Sequence, residues 1–365
     1  MRIGFVDLTK LVFAFIVCFY HFFNVVSPNP YFPLGNLTVE LFVLIAGVFF
    51  FLGIEKQLTR TAELQSPYAF LKKRFLRFLP YSLAGFMLAF AVKFYLEYSP
   101  KTGISLGTLG SWLSDGLWEI LMIKMNGMNN NQSMLNVPAW TLSAMLISEF
   151  FAYACFYNSK KLYTTLIAPL SIVIGLGVWR HIPKASHQLW MGYTTFGVFR
   201  VWLLYCLSWY CCQLMIRIKE TPWTKSGKAF LTVSEFFCYA FSLLIIVTQT
   251  TRNYRWAATL LLFAAAAISI SGRSASASMI RSKKLIFWIG ELSMGVYLTH
   301  YPIMQVFRAW YPGRAVLDHF AVFVCVVIAA AAAFAVSVVY AKSLFAVCYR
   351  KITSKLIAAQ PSEKL

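Results

Sequence analysis

The sequence predicts an all-α fold class: a polytopic membrane helix bundle of about ten transmembrane helices, with both termini in the cytoplasm. Of the 365 residues, 59% are hydrophobic and only 13% are charged, whereas a soluble domain has about a quarter of its residues charged. Apolar runs of about twenty residues, long enough to cross a bilayer as helices, recur from one end of the chain to the other. The distribution of Lys and Arg between successive loops gives the orientation.

The spans follow from these apolar runs in chain order. We expect helices near residues 5–26, 35–54, 78–97, 137–157, 162–180, 195–217, 229–250, 255–272, 284–307 and 316–345. The first run contains a charge and is not followed by a small-residue cleavage site, so we expect it to be retained rather than removed as a signal peptide. Because no internal repeat and no large soluble appendage is visible, we predict one membrane domain over residues 1–350 and a short cytoplasmic tail over 351–365.

The net charge of +20 would indicate a nucleic-acid partner in a soluble protein. Here the loops on the side of the N-terminus hold about three times as many Lys and Arg as the opposite loops, which is the bias expected of cytoplasmic loops. The basic excess is therefore mainly a signal of topology, with attraction to anionic lipid headgroups as a second effect. We expect a multi-pass protein of the inner or plasma membrane, with membrane lipids but no nucleic acid among its partners.

The eight cysteines fall almost wholly within the predicted spans or at their inner ends. They include no Cys-x-x-Cys pair and no spacing typical of a zinc site. We interpret them as small apolar side chains of the bundle, and we expect neither a metal site nor a disulfide.

The stretch 98–136 is a long segment on the outward side. Part of it, 105–124, mixes Leu, Trp, Ile and Gly and is too polar for a span, so we interpret it as an interfacial or re-entrant helix. A polar, Asn-rich loop follows at 126–132. Such a segment would either cover a substrate site or serve as a mobile connector, and the sequence leaves both open.

Three ionisable residues share one face of the first predicted span. Eleven helical steps of about 100° bring Lys10 and His21 to the same side, about 16 Å apart along the axis, and Asp7 falls on the same stripe. An ionisable group in a span is costly unless it faces protein or a cavity. The stripe therefore predicts a functional interior surface, although Asp7 could also cap the helix or pair with Lys10.

Topology also places polar side chains of other spans near the outer level of His21. Glu40 of the second span is expected at nearly the same depth. The others at this level are Trp140, Ser143, Tyr297 and His300, with Glu149 deeper, near the middle of the membrane. A histidine oriented by a carboxylate is the usual general base for activating a hydroxyl. We therefore predict a reaction chamber in which His21 and Glu40 are catalytic and the other residues, with Asp7, are supporting.

Five segments match, in order, the motifs of one family. The first, 7–21, has the pattern Asp-x-x-Lys-x10-His; the others are 39–47, the basic loop 70–80, the helix start 140–143 and the block 290–300. On these segments the chain resembles the acyltransferase-3 membrane acyltransferases, which move acyl groups, usually acetyl, onto bacterial surface sugars. The resemblance covers most of the chain. It departs from the usual pattern at Lys10, where Arg is commoner, at Ala46, where Ser is frequent, and at Met145, where many members have Glu.

The resemblance implies an acyltransferase, acetyl being the expected acyl group, with acyl-CoA entering from the cytoplasm as donor substrate and no tightly bound cofactor. The acceptor would be a hydroxyl of a cell-surface glycan or of its lipid-linked precursor. Phosphates of the donor would meet Lys10 and a basic cluster, defined as Lys72, Lys73, Arg74 and Arg77. His21 would meet the thioester, and either deprotonate the acceptor hydroxyl or carry the acyl group itself.

Two other classes of protein compete with this interpretation. A transporter or flippase for a lipid-linked glycan would also hold buried charges in its spans, but the sequence has no matched pair of broken helices and no repeated halves in its favour. A purely structural protein would leave the aligned Lys10 and His21 without an explanation.

Overall fold

The structure is a computed structural model and describes residues 3–24, 31–98, 103–127, 134–179, 189–190, 194–249 and 254–358. Helices make up almost all of it. In chain order these are α1 (Gly4–Asn24), α2 (Thr38–Thr61), α3 (Pro67–Glu97), α4 (Leu106–Ile120), α5 (Trp140–Asn158), α6 (Lys160–Leu162), α7 (Ala168–Trp179), α8 (Phe196–Glu220), α9 (Lys225–Thr248), α10 (Arg255–Ser271), α11 (Lys283–Trp310) and α12 (Phe320–Ala358). Two short strands, Leu189–Trp190 and Thr194–Thr195, pair antiparallel before α8.

Each of the ten predicted spans coincides with a helix. The span at 162–180 is α7 together with a π-helical turn, Tyr163–Ile167, that precedes it. Within the described ranges, seven helices are long and apolar enough to cross a membrane, so the chain is an all-α, multi-pass membrane protein. The count of ten spans, the inside position of both termini and the domain boundary stay predictions. α12 continues to Ala358, and residues 359–365 of the predicted tail lie outside the described residues.

The basic cluster lies on a helix and not on a loop. α3 begins at Pro67, well before the start predicted at 78, because Ser66 caps it: the Ser66 hydroxyl accepts a hydrogen bond of 3.3 Å from the Ala69 N–H, and Pro67 occupies the first turn. Hydropathy alone misses this extension because the added turns are rich in cations. As a result, the four cations of the cluster point to different sides of α3.

The helices pack closely where small residues meet. α1 packs along α11, and α11 along α12, while α2 and α5 both pack on α8. A Cβ atom at Gly295 of α11 would lie 2.5 Å from the Ala331 carbonyl oxygen of α12, and one at Gly47 of α2 would collide with Ser208 of α8. Such close approaches are typical of membrane helix contacts. The separate packing of α1 along α11 brings the motifs at 7–21 and 290–300 together.

The segment predicted as an interfacial helix at 105–124 contains α4. Ser105 caps this helix, since its hydroxyl accepts a hydrogen bond of 3.0 Å from the Thr108 N–H. At the other end, the Ser82 hydroxyl of α3 donates to the Glu119 carbonyl oxygen over 2.8 Å. The described part of the outward stretch is thus attached to the bundle, while its residues 99–102 and 128–133 lie outside the described residues.

Candidate active site

The two predicted histidines of the outer level lie next to each other. The ring centroids of His21 and His300 are 5.4 Å apart, with an interplanar angle of 31°, and the Tyr301 ring stands edge-on to His21 at 5.6 Å. His300 is fully buried, and its Nδ1 donates to the Val296 carbonyl oxygen over 3.0 Å. Its Nε2 has no partner among the described residues. With the proton on Nδ1, this nitrogen keeps its lone pair and is available as a base.

A cavity of about 230 Å³ leads toward this pair. Lys10 of α1, Arg74 and Arg77 of α3, and Tyr297 of α11 are among its lining residues. The rest of the wall is mostly apolar, with side chains of α2, α5 and α11. The Tyr297 ring centroid lies 6.2 Å from that of His300. The cavity therefore extends from three cations to within one side chain of the imidazoles.

A larger cavity of about 700 Å³ adjoins the first, since Lys10, Arg77 and Phe78 line both. Lys56 at the end of α2 and Lys219 at the end of α8 add positive charge to it. Its acidic lining residues are Asp7, Glu220 and Glu291. Asp7 is engaged by Lys10, three positions later in α1, so the predicted pairing of these two residues is present and Lys10 is held at the junction of the two cavities.

The basic cluster divides into two halves. Arg77 lines both cavities and Arg74 lines the smaller one, whereas Lys72 and Lys73 are exposed and line neither. Arg74 Nε donates to Glu149 Oε2 over 2.5 Å, and a second guanidinium nitrogen donates to Oε1. The carboxylate thereby fixes Arg74 on the cavity wall as a bidentate pair. Of the predicted donor-binding cations, Lys10, Arg74 and Arg77 converge on one space, and the two lysines do not.

Glu149 is fully buried and also accepts a hydrogen bond from the Tyr205 hydroxyl of α8. Arg74 is therefore the counter-charge of this carboxylate, whose burial without a partner would be costly. Met145, one turn earlier on α5, lines the same cavity. Glu149 thus acts through Arg74, whose position it holds.

Glu40 contacts an arginine and not a histidine in the described structure. Arg200 of α8 donates to both of its carboxylate oxygens, from Nε over 3.0 Å and from Nη2 over 2.5 Å. The same guanidinium donates to the Asn36 carbonyl oxygen over 2.8 Å and lies above the Trp140 ring, 5.7 Å from its centroid. A buried arginine requires such a counter-charge. The geometry therefore ties Glu40 and Trp140 to Arg200, no described hydrogen bond joins Glu40 to His21, and a catalytic role of Glu40 stays a prediction.

Ser143 holds the outward segment in place. Its hydroxyl accepts a hydrogen bond of 3.0 Å from the Met125 N–H, and the Thr195 hydroxyl donates to the Met125 carbonyl oxygen over 2.9 Å. Both side chains are buried. The described role of Ser143 is therefore to anchor the turn after α4.

Asn136 joins this outward segment to the helix that carries His300. Its Nδ2 donates to the Gly85 carbonyl oxygen of α3 over 3.2 Å and to the Leu298 carbonyl oxygen of α11 over 3.0 Å. The Asn136 N–H and the Leu135 N–H donate in turn to the two carboxylate oxygens of Glu119, over 3.2 and 2.6 Å. Burial raises the pKa of Glu119, which lies outside the spans, to about 7. The end of α4 is therefore fastened to α11 two residues before His300.

A family model for an acyltransferase domain matches residues 3–342, nearly the whole chain. The chain belongs to the acyltransferase-3 family. No curated protein and no solved structure matches it. The match spans every helix that contributes a residue to the two cavities and to the histidine pair, so the protein is a membrane acyltransferase and these cavities are its candidate active site.

In this acyltransferase the structure places two residues near the site, Arg200 and Asn136, that the sequence motifs did not identify. Arg200 is a charged residue within an apolar span. Because a charge inside the membrane costs free energy unless it is paired, its position was a signal that it has a partner. Asn136 carried no comparable signal, because a single Asn in a polar segment is typical of a turn. Its role depends on the lateral contact of α3 with α11, which hydropathy does not report.

Proposed function

We propose that this acyltransferase transfers an acyl group, acetyl being the expected one, from acyl-CoA to a hydroxyl of a cell-surface glycan or of its lipid-linked precursor. The observation that supports this most is the His21–His300 pair, which lies next to Tyr297, a lining residue of a cavity that Lys10, Arg74 and Arg77 also line. A chamber with cations at one end and basic imidazoles near the other suits a substrate with a charged head and a reactive thioester tail.

The sizes of the two cavities fit the two parts of such a donor. The smaller one is mostly apolar and suits the thin pantetheine arm, and the larger one holds Lys10, Lys56, Arg77 and Lys219, which are suited to phosphates. Arg74 is fixed by Glu149 and therefore needs no rearrangement to offer the donor those N–H groups that Glu149 does not accept. We infer that the nucleotide end binds in the larger cavity and the acyl end reaches Tyr297.

The transfer step then uses the imidazoles. One imidazole takes the proton of the acceptor hydroxyl, the hydroxyl oxygen forms a bond with the acyl carbon, and the carbon–sulfur bond breaks. The released CoA thiolate takes up a proton. In the second route, an imidazole nitrogen of His21 forms a bond with the acyl carbon, the carbon–sulfur bond breaks, and the CoA thiolate leaves with the proton that the ring gives up. The acceptor oxygen then displaces this nitrogen from the acyl carbon, and the hydroxyl proton returns to the imidazole. Trapping of labelled acyl-protein in the absence of acceptor distinguishes the two routes.

Membranes that contain the wild-type protein, incubated with [14C]acetyl-CoA, test the proposal. We expect label on a glycan or on a lipid-linked sugar, and a loss of about 100-fold or more in His21→Ala, the usual contribution of a general base or nucleophile. His319→Ala is the matched control, because His319 stacks on Tyr311 and lies outside the pair. A flippase would instead move an intact lipid-linked sugar without consuming acetyl-CoA. Unchanged transfer in His21→Ala would contradict both routes.

A further inference from the structure

A second basic cavity lies away from the candidate active site, between the start of α9 and the segment 272–281 that joins α10 to α11. Its volume is about 650 Å³, and it shares no lining residue with the two cavities described above. Four cations line it: Lys225, Lys228, Arg273 and Arg281. No acidic residue is among its lining residues. This composition is that of an anion site.

Hydrogen bonds hold the wall of the cavity in place. The Ser276 hydroxyl interacts with both carboxylate oxygens of Glu235, over 2.9 and 2.8 Å, and the Ala275 N–H donates to the Thr232 hydroxyl of α9 over 2.9 Å. Arg273 Nε donates to the Lys219 carbonyl oxygen over 2.8 Å. Glu235 is fully buried and does not line the cavity. The segment 272–281 is thus fastened to α9 by a carboxylate that leaves the cavity without negative charge.

Three other cations of the bundle are each paired with a carboxylate. Lys10 pairs with Asp7, Lys160 with Glu55, and Lys342 with Glu291. Among the described residues, no carboxylate pairs with Lys225, Lys228 or Arg281. The positive-inside rule requires cations on one side of the membrane, but it does not require them to line one concave space from which acids are excluded.

The position of α9 indicates where the ligand comes from. α9 is one of the seven helices able to span a membrane, and Phe230, Val233 and Phe237 on it are largely exposed. In a membrane such side chains contact lipid. Lys225 and Lys228 lie in the first two turns of this helix, so they stand where a span meets the headgroup region. We infer that the cavity binds a phosphate-bearing anion, and that the headgroup of an anionic phospholipid is its source.

Titration of the purified, detergent-solubilised full chain with dioleoyl-phosphatidylglycerol or dioleoyl-phosphatidylcholine, followed by native mass spectrometry, tests this site. We expect the anionic lipid to bind at least about tenfold more tightly than the zwitterionic one, and Lys228→Glu combined with Arg281→Glu to abolish the preference. A second arm titrates inorganic pyrophosphate by calorimetry without anionic lipid, which reports a soluble source of phosphate.

The matched control is Lys283→Glu combined with Lys284→Glu, which makes the same change of charge on exposed residues at the start of α11 that do not line the cavity. Loss of the lipid preference in the cavity variant alone supports the site with a lipid ligand. Binding of pyrophosphate that only the cavity variant loses supports the phosphate site with a soluble ligand. Equal losses in both variants, or a wild type that shows neither a preference for the anionic lipid nor binding of pyrophosphate, overturn the inference. All variants must elute as single species with unchanged helical circular dichroism.

Discussion

The imidazole rings of His21 and His300 lie with centroids 5.4 Å apart, although one belongs to α1 and the other to α11. Close packing of α1 along α11 places the two rings next to each other. His300 uses Nδ1 for a helix carbonyl and leaves Nε2 without a described partner. A buried nitrogen in that state is costly, and the neighbouring cavity offers a use for it in the proposed transfer.

The first prediction tests whether His300 acts as a base in the transfer or only packs against His21. His300→Asn keeps an N–H that can donate to the Val296 carbonyl oxygen but removes the Nε2 lone pair. If that lone pair takes part in the proton transfer, the turnover rate falls by about 100-fold while the helix contact is retained. Acyl transfer and the thermal transition should be measured together. A variant with normal turnover would show that His300 only supports the ring of His21.

The second prediction concerns the two halves of the basic cluster. Arg77 lines both cavities, whereas Lys73 lines neither. Arg77→Gln removes charge-assisted hydrogen bonds to the donor, each of which contributes about 1.5–3 kcal/mol, so we expect KM for acyl-CoA to rise by about tenfold or more. Lys73→Gln removes the same charge and should leave KM within about twofold. Steady-state kinetics with varied acyl-CoA measure both. Equal shifts would indicate a general surface potential instead of a binding contact.

Much of the fold could be predicted from the sequence, because a bilayer requires apolar runs of a fixed length. All ten predicted segments contain helices, and the polar character of 105–124 identified α4. The start of α3 at Pro67 was missed because hydropathy does not register a helix whose first turns are cationic. The Ser66–Pro67 pair was the available signal for it, as an N-cap followed by Pro at the first helical position.

The candidate site could be predicted in part, for a similar physical reason. Helix topology gives the depth of a residue in the membrane, and depth alone placed His21 and His300 at one level. It does not give the rotation of a helix or its lateral neighbours. For that reason the partner of Glu40 could not be predicted. Several residues lie at that level, and the contact of α2 with α8, where Gly47 allows Ser208 to approach, decides which of them faces Glu40.

The third prediction tests the Glu40–Arg200 pair. Both side chains are buried and bonded bidentately, so Glu40→Gln or Arg200→Gln leaves one uncompensated charge, with a cost of about 3–5 kcal/mol. The double variant removes both charges and should be less destabilised than the sum of the single variants. Thermal unfolding in detergent measures the three proteins. Additive losses would mean that the pair is not coupled, and a Glu40→Gln protein that unfolds normally but loses turnover would assign Glu40 to the chemistry.

The fourth prediction is a pH dependence of stability that arises from Glu119. Burial raises the pKa of this carboxyl from an ordinary value of 4.5 to about 7, and the negative charge of Asp115 acts in the same direction. The Leu135 and Asn136 N–H groups and the charge of Lys124 lower the pKa, but by less. Between these two values the folded protein binds the proton and the unfolded chain does not, so stability falls as pH rises through this window and levels off above the folded pKa. One unit of pKa corresponds to about 1.4 kcal/mol, so the total change is a few kcal/mol.

The thermal transition of the solubilised protein between pH 5 and pH 8 measures this slope. Glu119→Gln should flatten it, because the amide does not titrate, although one of the two backbone N–H groups then loses its acceptor and the variant is less stable at low pH. Glu97→Gln is the matched control, since Glu97 is exposed at the end of α3, and it should keep the wild-type slope. Burial and hydrogen bonding act on Glu119 with opposite signs. A wild-type transition that rises between pH 5 and pH 8, and loses that rise in Glu119→Gln, would mean that the two N–H groups outweigh burial and that the carboxylate fastens α4 to α11 in its charged form.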